Sequence, residues 1–487
     1  MPRDAYIVTI GLEVHVQLKT RSKLFCSCPV RFGDEPNTLV CPVCLGLPGS
    51  LPVLNQAAVE KTILAGLMLG CAVPPLSKWD RKNYFYPDMP KNYQISQYDL
   101  PLCTGGSVPL YDLAYPKDAQ NAIAFPGKTV KLTRIHLEED VAKSTHHAAS
   151  TTIDFNRAGL PLMEIVSEPE IASPEEAFAY LSSLRQILVY GDLSDADMEK
   201  GQMRCDVNVS VRRRAEDPLG AKIELKNLNS ISGVRRALRY EIERQIDDLE
   251  SGRPLTQSTR RWDDDLGQTF LMRSKEHAHD YRYFPDPDLL PLETKALVGI
   301  ASQRIPELPH AKRERFEREY GLSPYDAGVL ASDRFLADYF ESAAEGVAKA
   351  KAIANWIIND LLSALNASGR PLAECPLPPG HIRELTGLTE EGSVSVAQAR
   401  EVFAVMFESG GDPRTIARER GLEQVSDTGT LEQFVEQVLA ENPSVAGDAR
   451  SGNDKSLNYL IGQVMKLSRG AANPKKVSGL LRERVTR

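Results

Sequence analysis

Hydrophobic and polar residues alternate strictly in Gly11-Leu-Glu13-Val-His15-Val-Gln17-Leu18. In an extended chain Leu12, Val14, Val16 and Leu18 share one face, and Glu13, His15 and Gln17 share the other. The same grammar recurs in Arg204-Cys-Asp206-Val-Asn208-Val-Ser210-Val-Arg212 and in Lys222-Ile-Glu224-Leu-Lys226. These segments read as half-buried strands whose outer faces carry chemistry. From Tyr6 to about Pro291, short β-type runs mix with Gly/Pro/Asn/Asp turns and helical stretches over 174–190 and 233–252, an α+β pattern with a mixed or antiparallel sheet. Asp286-Pro-Asp-Leu-Leu-Pro291 reads as a linker or edge, because each proline disfavours helix in the residue before it. Beyond it, helical spacing over 312–320, 332–350, 351–365 and 395–410 predicts an all-α region, and Pro474 would end one helix or open the next.

With 487 residues the chain exceeds one hydrophobic core and predicts two to four domains. Hydrophobic residues at 42%, charged residues at 25% and a mean hydropathy of -0.30 fit a soluble globular protein and exclude wholesale disorder. Gly11 and Glu13 come too early for a signal peptide, and no stretch reaches the roughly 18 apolar residues of a membrane span, so a cytoplasmic protein without a membrane partner is expected. A net charge of -8 excludes a whole surface built for nucleic acid. The closing stretch nevertheless gathers Lys455, Lys466, Arg469, Lys475, Lys476, Arg482, Arg484 and Arg487, either a solvated helix face or a footprint on phosphates.

Cys26-Ser-Cys28 and Cys41-Pro-Val-Cys44 form two close thiol pairs joined by a turn-rich connector, which suits a closed, structural Zn²⁺ site; buried thiols are the alternative. Cys71, Cys103, Cys205 and Cys375 are scattered and read as small apolar fillers. Arg134-Ile-His136-Leu-Glu138-Glu139-Asp140 crowds three acids beside an arginine and a histidine, a density that a cation would relieve. Carboxylates with one imidazole suit Mg²⁺ or Mn²⁺, and Mg²⁺ normally serves a phosphate-bearing substrate. The competing reading is the solvent face of an antiparallel sheet. Gly127-Lys128-Thr129 is not a P-loop, since Ala122 stands where the leading glycine is required. Gly105-Gly106-Ser107 lacks the continuation of an amidase serine motif, and no cysteine sits with a histidine in a nucleophile arrangement, so glutamine hydrolysis is not expected here.

Several long blocks carry a family likeness: Ile10-Gly-Leu-Glu-Val-His-Val-Gln-Leu18, Cys41-Pro-Val-Cys-Leu-Gly-Leu-Pro-Gly49, Asp80-Arg-Lys-Asn-Tyr-Phe-Tyr-Pro87, Tyr93-Gln-Ile-Ser-Gln97 and His136-Leu-Glu-Glu-Asp140. It continues through Glu164-Ile-Val-Ser-Glu-Pro169, Glu224-Leu-Lys-Asn-Leu-Asn-Ser230, Asp280-Tyr-Arg-Tyr-Phe-Pro-Asp-Pro-Asp288, Gly462-Gln-Val-Met-Lys466 and Gly470-Ala-Ala-Asn-Pro474. Across essentially its whole length the chain resembles the GatB family, the tRNA-handling component of aspartyl/glutamyl-tRNA amidotransferases.

The resemblance implies a catalytic cradle over 1–293 with the zinc subsite at 26–44, a helical domain over 294–407 and a YqeY-like tRNA-binding tail over 408–487. It implies that ATP phosphorylates the side-chain carboxylate of Glu or Asp misattached to tRNA(Gln) or tRNA(Asn), and that ammonia then displaces the phosphate. Ammonia would arrive through a tunnel from an amidase partner (GatA), strapped on by a small third partner (GatC), and a non-discriminating synthetase is a further candidate partner.

Carried over by position, the Mg²⁺ cluster falls on Glu13, His15, Glu139, Asp206 and Glu224, with Glu138 as the neighbour that leaves the choice within the pair open. Lys82, Arg204 and Lys226 are the expected cationic partners, and Lys466, Arg469, Lys475 and Lys476 the expected tRNA contacts. Two departures from the family pattern are Val141-Ala142 after Glu139-Asp140, and Lys200 where an acid is common. A module that binds only tRNA and zinc is the rival reading; a synthetase-like enzyme is disfavoured by the lack of HIGH- or KMSKS-type signatures. Which misacylated tRNA is used, and whether zinc is bound, stay open at this level.

Overall fold

The computed structural model of the chain describes residues 6–123, 127–274, 281–347, 350–422, 427–450, 453–468 and 472–486. Two compact units result, Met1–His310 and Ala311–Arg487.

The strands of the first unit are β1 (Ile7–Gln17), β2 (Leu76–Ser77), β3 (Asp80–Asn83), β4 (Tyr93–Ser96), β5 (Cys103–Thr104), β6 (Ser107–Pro109), β7 (Thr129–Glu139), β8 (Lys143–His146) and β9 (Thr151–Asp154). They continue as β10 (Pro161–Ser167), β11 (Met203–Arg212), β12 (Ile223–Lys226), β13 (Ser258–Asp263), β14 (Gln268–Ser274), β15 (Phe284–Pro285) and β16 (Leu292–Glu293). Nine of them form one sheet in the order β14-β13-β12-β11-β1-β10-β7-β5, with β6 also on β7. Every pairing in it is antiparallel except β12 with β13. The expected α+β class, with a mixed sheet and then a helical region, is what the chain adopts.

Alternation dictates how this sheet packs. Ile10, Leu12, Val14 and Val16 of β1, with Val207 and Val209 of β11 and Ile135 and Leu137 of β7, are all but fully buried. Over this side lie α1 (Gln56–Met68) against β7, α2 (Pro174–Tyr190) against β6, and α3 (Ile231–Glu250) against β11 and β14. The Ser173 side chain caps α2 by accepting from Glu176 N–H, and Ser230 caps α3 by accepting from Gly233 N–H. With all three helices on one side, the polar face of β1, β11 and β12 is turned away from them.

The stretch read as a linker is stitched into this unit. β15 pairs with β3 and β16 with β2. Arg81 donates to Asp286 at 2.8 Å and to Asp288 at 3.0 Å. The helix Lys295–Ser302 packs on α1, so the first unit runs past 293 to His310.

The second unit is helical. One core spans Phe316 to Ala417, and a smaller one spans Leu431 to Leu481. The expected helix over 395–410 is Val396–Ser409, opened by a Ser395/Gln398 capping box and closed by Gly410 in the left-handed conformation. Pro474 opens the helix Pro474–Thr486. The helix expected over 332–350 is shorter, Arg334–Ala344, and that over 351–365 contains a π-helical turn, Trp356–Leu361.

Candidate active site

The polar face of the sheet is organised in rows set by strand register. His15 of β1 lies between Glu164 of β10 and Arg204 of β11, and Glu164 in turn faces His136 of β7. One row along, Glu13 pairs with Asp206; the next joins Gly11, Asn208 and Glu224.

Side chains close these rows into a network. Glu164 Oε2 stands 3.3 Å from both His15 Nε2 and His136 Nε2, and His136 Nε2 stands 3.6 Å from Glu138 Oε2. Ser96 Oγ donates to Glu138 at 2.9 Å. One ligand atom each from His15, Glu138 and Glu164 lies within 4.8 Å of the others. An imidazole nitrogen and two carboxylate oxygens brought together from three strands make a donor set that fits Mg²⁺ or Mn²⁺.

The electrostatics follow from burial opposed by charge. Burial disfavours the imidazolium of His136, yet the carboxylates of Glu164 and Glu138 hold its pKa up at about 9. His15 is likewise raised, with burial outweighed by Glu164 and then Glu138 and Asp206. Glu164 is held well below the usual carboxylate range despite burial, first by the charge of His136. Glu138 is lowered too, by His136 and Lys82 acting against burial. Lys82 points its ammonium over the Tyr281 ring, 5.1 Å from the centroid, and burial is outweighed by Glu138 so that its pKa is raised. Anions and cations here sustain each other's charge.

Arg204 flanks this cluster and donates to Asp140 at 2.9 Å; Gln17 donates to the same buried carboxylate at 2.9 Å. Lys226 bridges Asp206 and Glu224, at 3.0 Å from the latter. Thr259 Oγ1 donates to Glu224 at 2.8 Å, and Asn208 Nδ2 donates to Glu13 at 2.9 Å.

The structure thus brings His15, Lys82, Glu138 and Arg204 together, and sets Glu13, Asp206, Glu224 and Lys226 one or two rows away on the same face. Of the pair that the sequence left open, Glu138 stands in this cluster and Glu139 does not. Alternation along β7 turns that carboxylate to the opposite side, where it pairs with Lys91 and accepts from Ile95 N–H at 2.9 Å. Two members of the cluster, Glu164 and His136, are not among the site residues expected from sequence. The available signal for Glu164 is one carboxylate inside the otherwise apolar run Pro161-Leu-Met-Glu-Ile-Val, which is costly unless paired.

Elsewhere in the first unit the sulfurs of Cys26, Cys28, Cys41 and Cys44 all lie within 4.8 Å of one another. Cys41 N–H donates to Cys44 Sγ at 3.2 Å, and the fully buried Lys23 places Nζ 3.6 Å from that sulfur. The Cys26 hydrogen bond, with further help from Cys41 and Lys23, brings Cys44 down to about 4 against the effect of burial, whereas burial pushes Cys28 up to about 11. Four convergent sulfurs fit a closed tetrahedral metal.

In the second unit Lys466 lies in the last turn of the helix Asp454–Leu467, and Lys475 and Lys476 in the first turn of Pro474–Thr486; all three are exposed. Arg469 lies outside the described residues. No described helix is long and apolar enough to cross a membrane.

Comparison with known proteins agrees along the whole length. Residues 8–298 match the GatB/GatE catalytic domain, and residues 338–485 match the GatB domain. The chain is 55% identical over 478 residues to the B subunit of the aspartyl/glutamyl-tRNA(Asn/Gln) amidotransferase of Methylacidiphilum infernorum, covering 98% of each chain. It is 50% identical over 485 residues to the corresponding protein of Moorella thermoacetica, covering 99% of this chain and 100% of that one. Against that of Opitutus terrae it is 50% identical over 481 residues, covering 98% of each.

Proposed function

Because this chain belongs to the GatB family, the B subunits of aspartyl/glutamyl-tRNA(Asn/Gln) amidotransferases, we propose that it performs the ATP-dependent amidation of Glu-tRNA(Gln), Asp-tRNA(Asn) or both. The observation that carries this reading is the meeting of His15, Glu138 and Glu164 beside Lys82 and Arg204.

In this reading the side-chain carboxylate of the misattached Glu or Asp attacks the γ-phosphorus of ATP, forming an acyl phosphate and releasing ADP. Ammonia then attacks the acyl carbon, phosphate leaves, and the amide remains on the tRNA. His15, Glu138 and Glu164 would hold Mg²⁺, which when bound neutralises phosphate oxygens. Lys82 and Arg204 supply fixed positive charge where the transferring phosphoryl group gathers negative charge. Asp140 keeps Arg204 aimed by occupying one edge of its guanidinium. Glu13, Asp206, Glu224 and Lys226 extend the polar face along which phosphates and a second Mg²⁺ contact can be accommodated.

Ammonia is assigned to a glutaminase partner, GatA, and the small GatC would complete a heterotrimer. The four cysteines would hold structural Zn²⁺, and Lys466, Arg469, Lys475 and Lys476 would meet tRNA phosphates. The deciding experiment is amide formation on both misacylated tRNAs with ammonium chloride, ATP and Mg²⁺, using the chain together with GatA and GatC. His15→Ala and Glu164→Gln are expected to abolish amidation while tRNA binding persists. Unchanged amidation in both variants would leave the chain as a tRNA-binding module.

A further inference from the structure

Lys23 has no exposed surface, and the backbone on either side of it is fixed. Its N–H donates to the Cys28 carbonyl at 2.9 Å, its carbonyl accepts from Asn55 Nδ2 at 3.2 Å, and Leu24 N–H donates to the Gly159 carbonyl at 2.8 Å. The side chain then runs along Gly159, where a Cβ would stand 3.5 Å from both Lys23 Cδ and Cys44 Cβ. Its ammonium ends 3.6 Å from Cys44 Sγ and donates to the Phe155 carbonyl at 3.2 Å.

A buried ammonium is costly unless an anion offsets it. Among the described residues its two partners are a sulfur and a carbonyl, and neither is a carboxylate. The acids around it are engaged elsewhere. Glu139, whose Oε2 would lie 4.0 Å from the same Gly159 Cβ, pairs with Lys91. Beside Phe155, Asp154 Oδ1 accepts from Asn37 N–H at 3.0 Å and from Asn156 N–H at 2.9 Å. The charge that answers Lys23 is therefore on sulfur.

Four thiolates around Zn²⁺ leave a net charge of about −2, which their enclosure must offset. Cys44 Sγ also accepts from Cys41 N–H at 3.2 Å, so two N–H donors converge on this one sulfur. One is a neutral dipole from the turn between the paired cysteines. The other is a full charge brought in from outside both thiol pairs, and a charged donor makes the stronger hydrogen bond.

We propose that Lys23 is the counter-ion of the four-cysteine centre: its ammonium offsets thiolate charge at Cys44 and thereby sets how tightly the site holds a divalent metal. The inference rests on reading the four cysteines as a metal site. The competing account, in which the lysine stem only fills space, requires no charge at its end.

Lys23→Met tests it, because methionine refills the buried space without the charge. The full chain would be loaded with Zn²⁺ or Co²⁺ and titrated with a chromophoric chelator, and its thermal midpoint measured with metal and after chelation. The counter-ion predicts metal binding weaker by about 10-fold to 100-fold in the variant, the scale typical of groups that act on a metal through its ligands. Sulfur-to-Co²⁺ charge-transfer absorption should move to longer wavelength, since a sulfur lone pair without the neighbouring cation lies higher in energy. The midpoint should fall in the metal-loaded state and not in the chelated one, where the variant is spared a buried ammonium that has lost its anionic partner. Lys23→Gln, which keeps a donor without the charge, is expected to follow Lys23→Met and replaces it if that variant does not fold. Metal affinity and cobalt spectrum equal to the wild type, or midpoints lowered equally with and without metal, overturn the proposal. A wild type that takes up neither Zn²⁺ nor Co²⁺ overturns the metal site itself, and the counter-ion with it.

Discussion

Glu138 and Glu139 are consecutive, yet their carboxylates sit on opposite sides of one strand: Glu138 accepts from Ser96 beside His136, and Glu139 accepts from Lys91 and Ile95 N–H. Glu138→Gln is expected to lower amidation at least a hundredfold with little loss of stability. Glu139→Gln strands Lys91 as a buried charge and is expected to cost about 3 kcal/mol of stability. Urea denaturation and an amidation assay on both variants separate the two roles; equal kinetic defects with equal midpoints would contradict the division.

Glu164 bridges two imidazoles, so on the proposed reading its removal takes one donor from the candidate metal site. Glu164→Ala is expected to weaken Mn²⁺ binding by about 10-fold to 100-fold, read by electron paramagnetic resonance titration. Wild-type affinity in the variant would remove Glu164 from the ligand set.

Zinc analysis by plasma mass spectrometry is expected to find the ion in the wild type and in Cys375→Ser, and to lose it in Cys44→Ser. Chelation at neutral pH should lower the melting temperature of the wild type but leave Cys44→Ser unmoved, because the variant has no metal left to lose. A chelator effect of the same size in both would point away from the cysteine site.

Glu175 ties α2 to α3 by accepting from Arg235 and Arg239, and against the effect of burial these guanidinium groups hold its carboxyl below the usual range. A depressed folded pKa means the stabilisation is present above the ordinary carboxylate pKa and is lost as pH falls through the folded value. Glu175→Gln should therefore be about 1 kcal/mol less stable at pH 7, partial exposure keeping the figure small. Thermal melts at descending pH should show the gap to the wild type closing only below the ordinary glutamate range.

The double substitution Lys475→Ala, Lys476→Ala is expected to weaken tRNA binding about equally for both tRNAs and to flatten its salt dependence by up to two phosphate contacts. Unchanged salt dependence would make the basic tail a solvated face.

Much of this centre was legible because strands repeat every two residues. The loaded faces of β1, β11 and β12 could be read directly, since their apolar partners alternate without interruption. The same period, counted from His136, assigns Glu138 and not Glu139 to the polar side, within a pair that the resemblance left open. Glu164 was harder, because β10 is buried on both faces and so reads as a nearly continuous apolar run. The end of the first unit moved to His310 because Leu297, Val298 and Ala301 pack on the core while the prolines before them read as a break.

By itself the sequence determined the α+β class with helices after it, the loaded faces of β1, β11 and β12, the cysteine pairs and the family, all of which depend on local periodicity or long stretches of matching residues. Tertiary structure alone decided which strands neighbour β1, and so which side chains meet. His15, Glu138 and Glu164 lie far apart along the chain, and only the register of β1, β10 and β7 brings their donor atoms within one ion's reach.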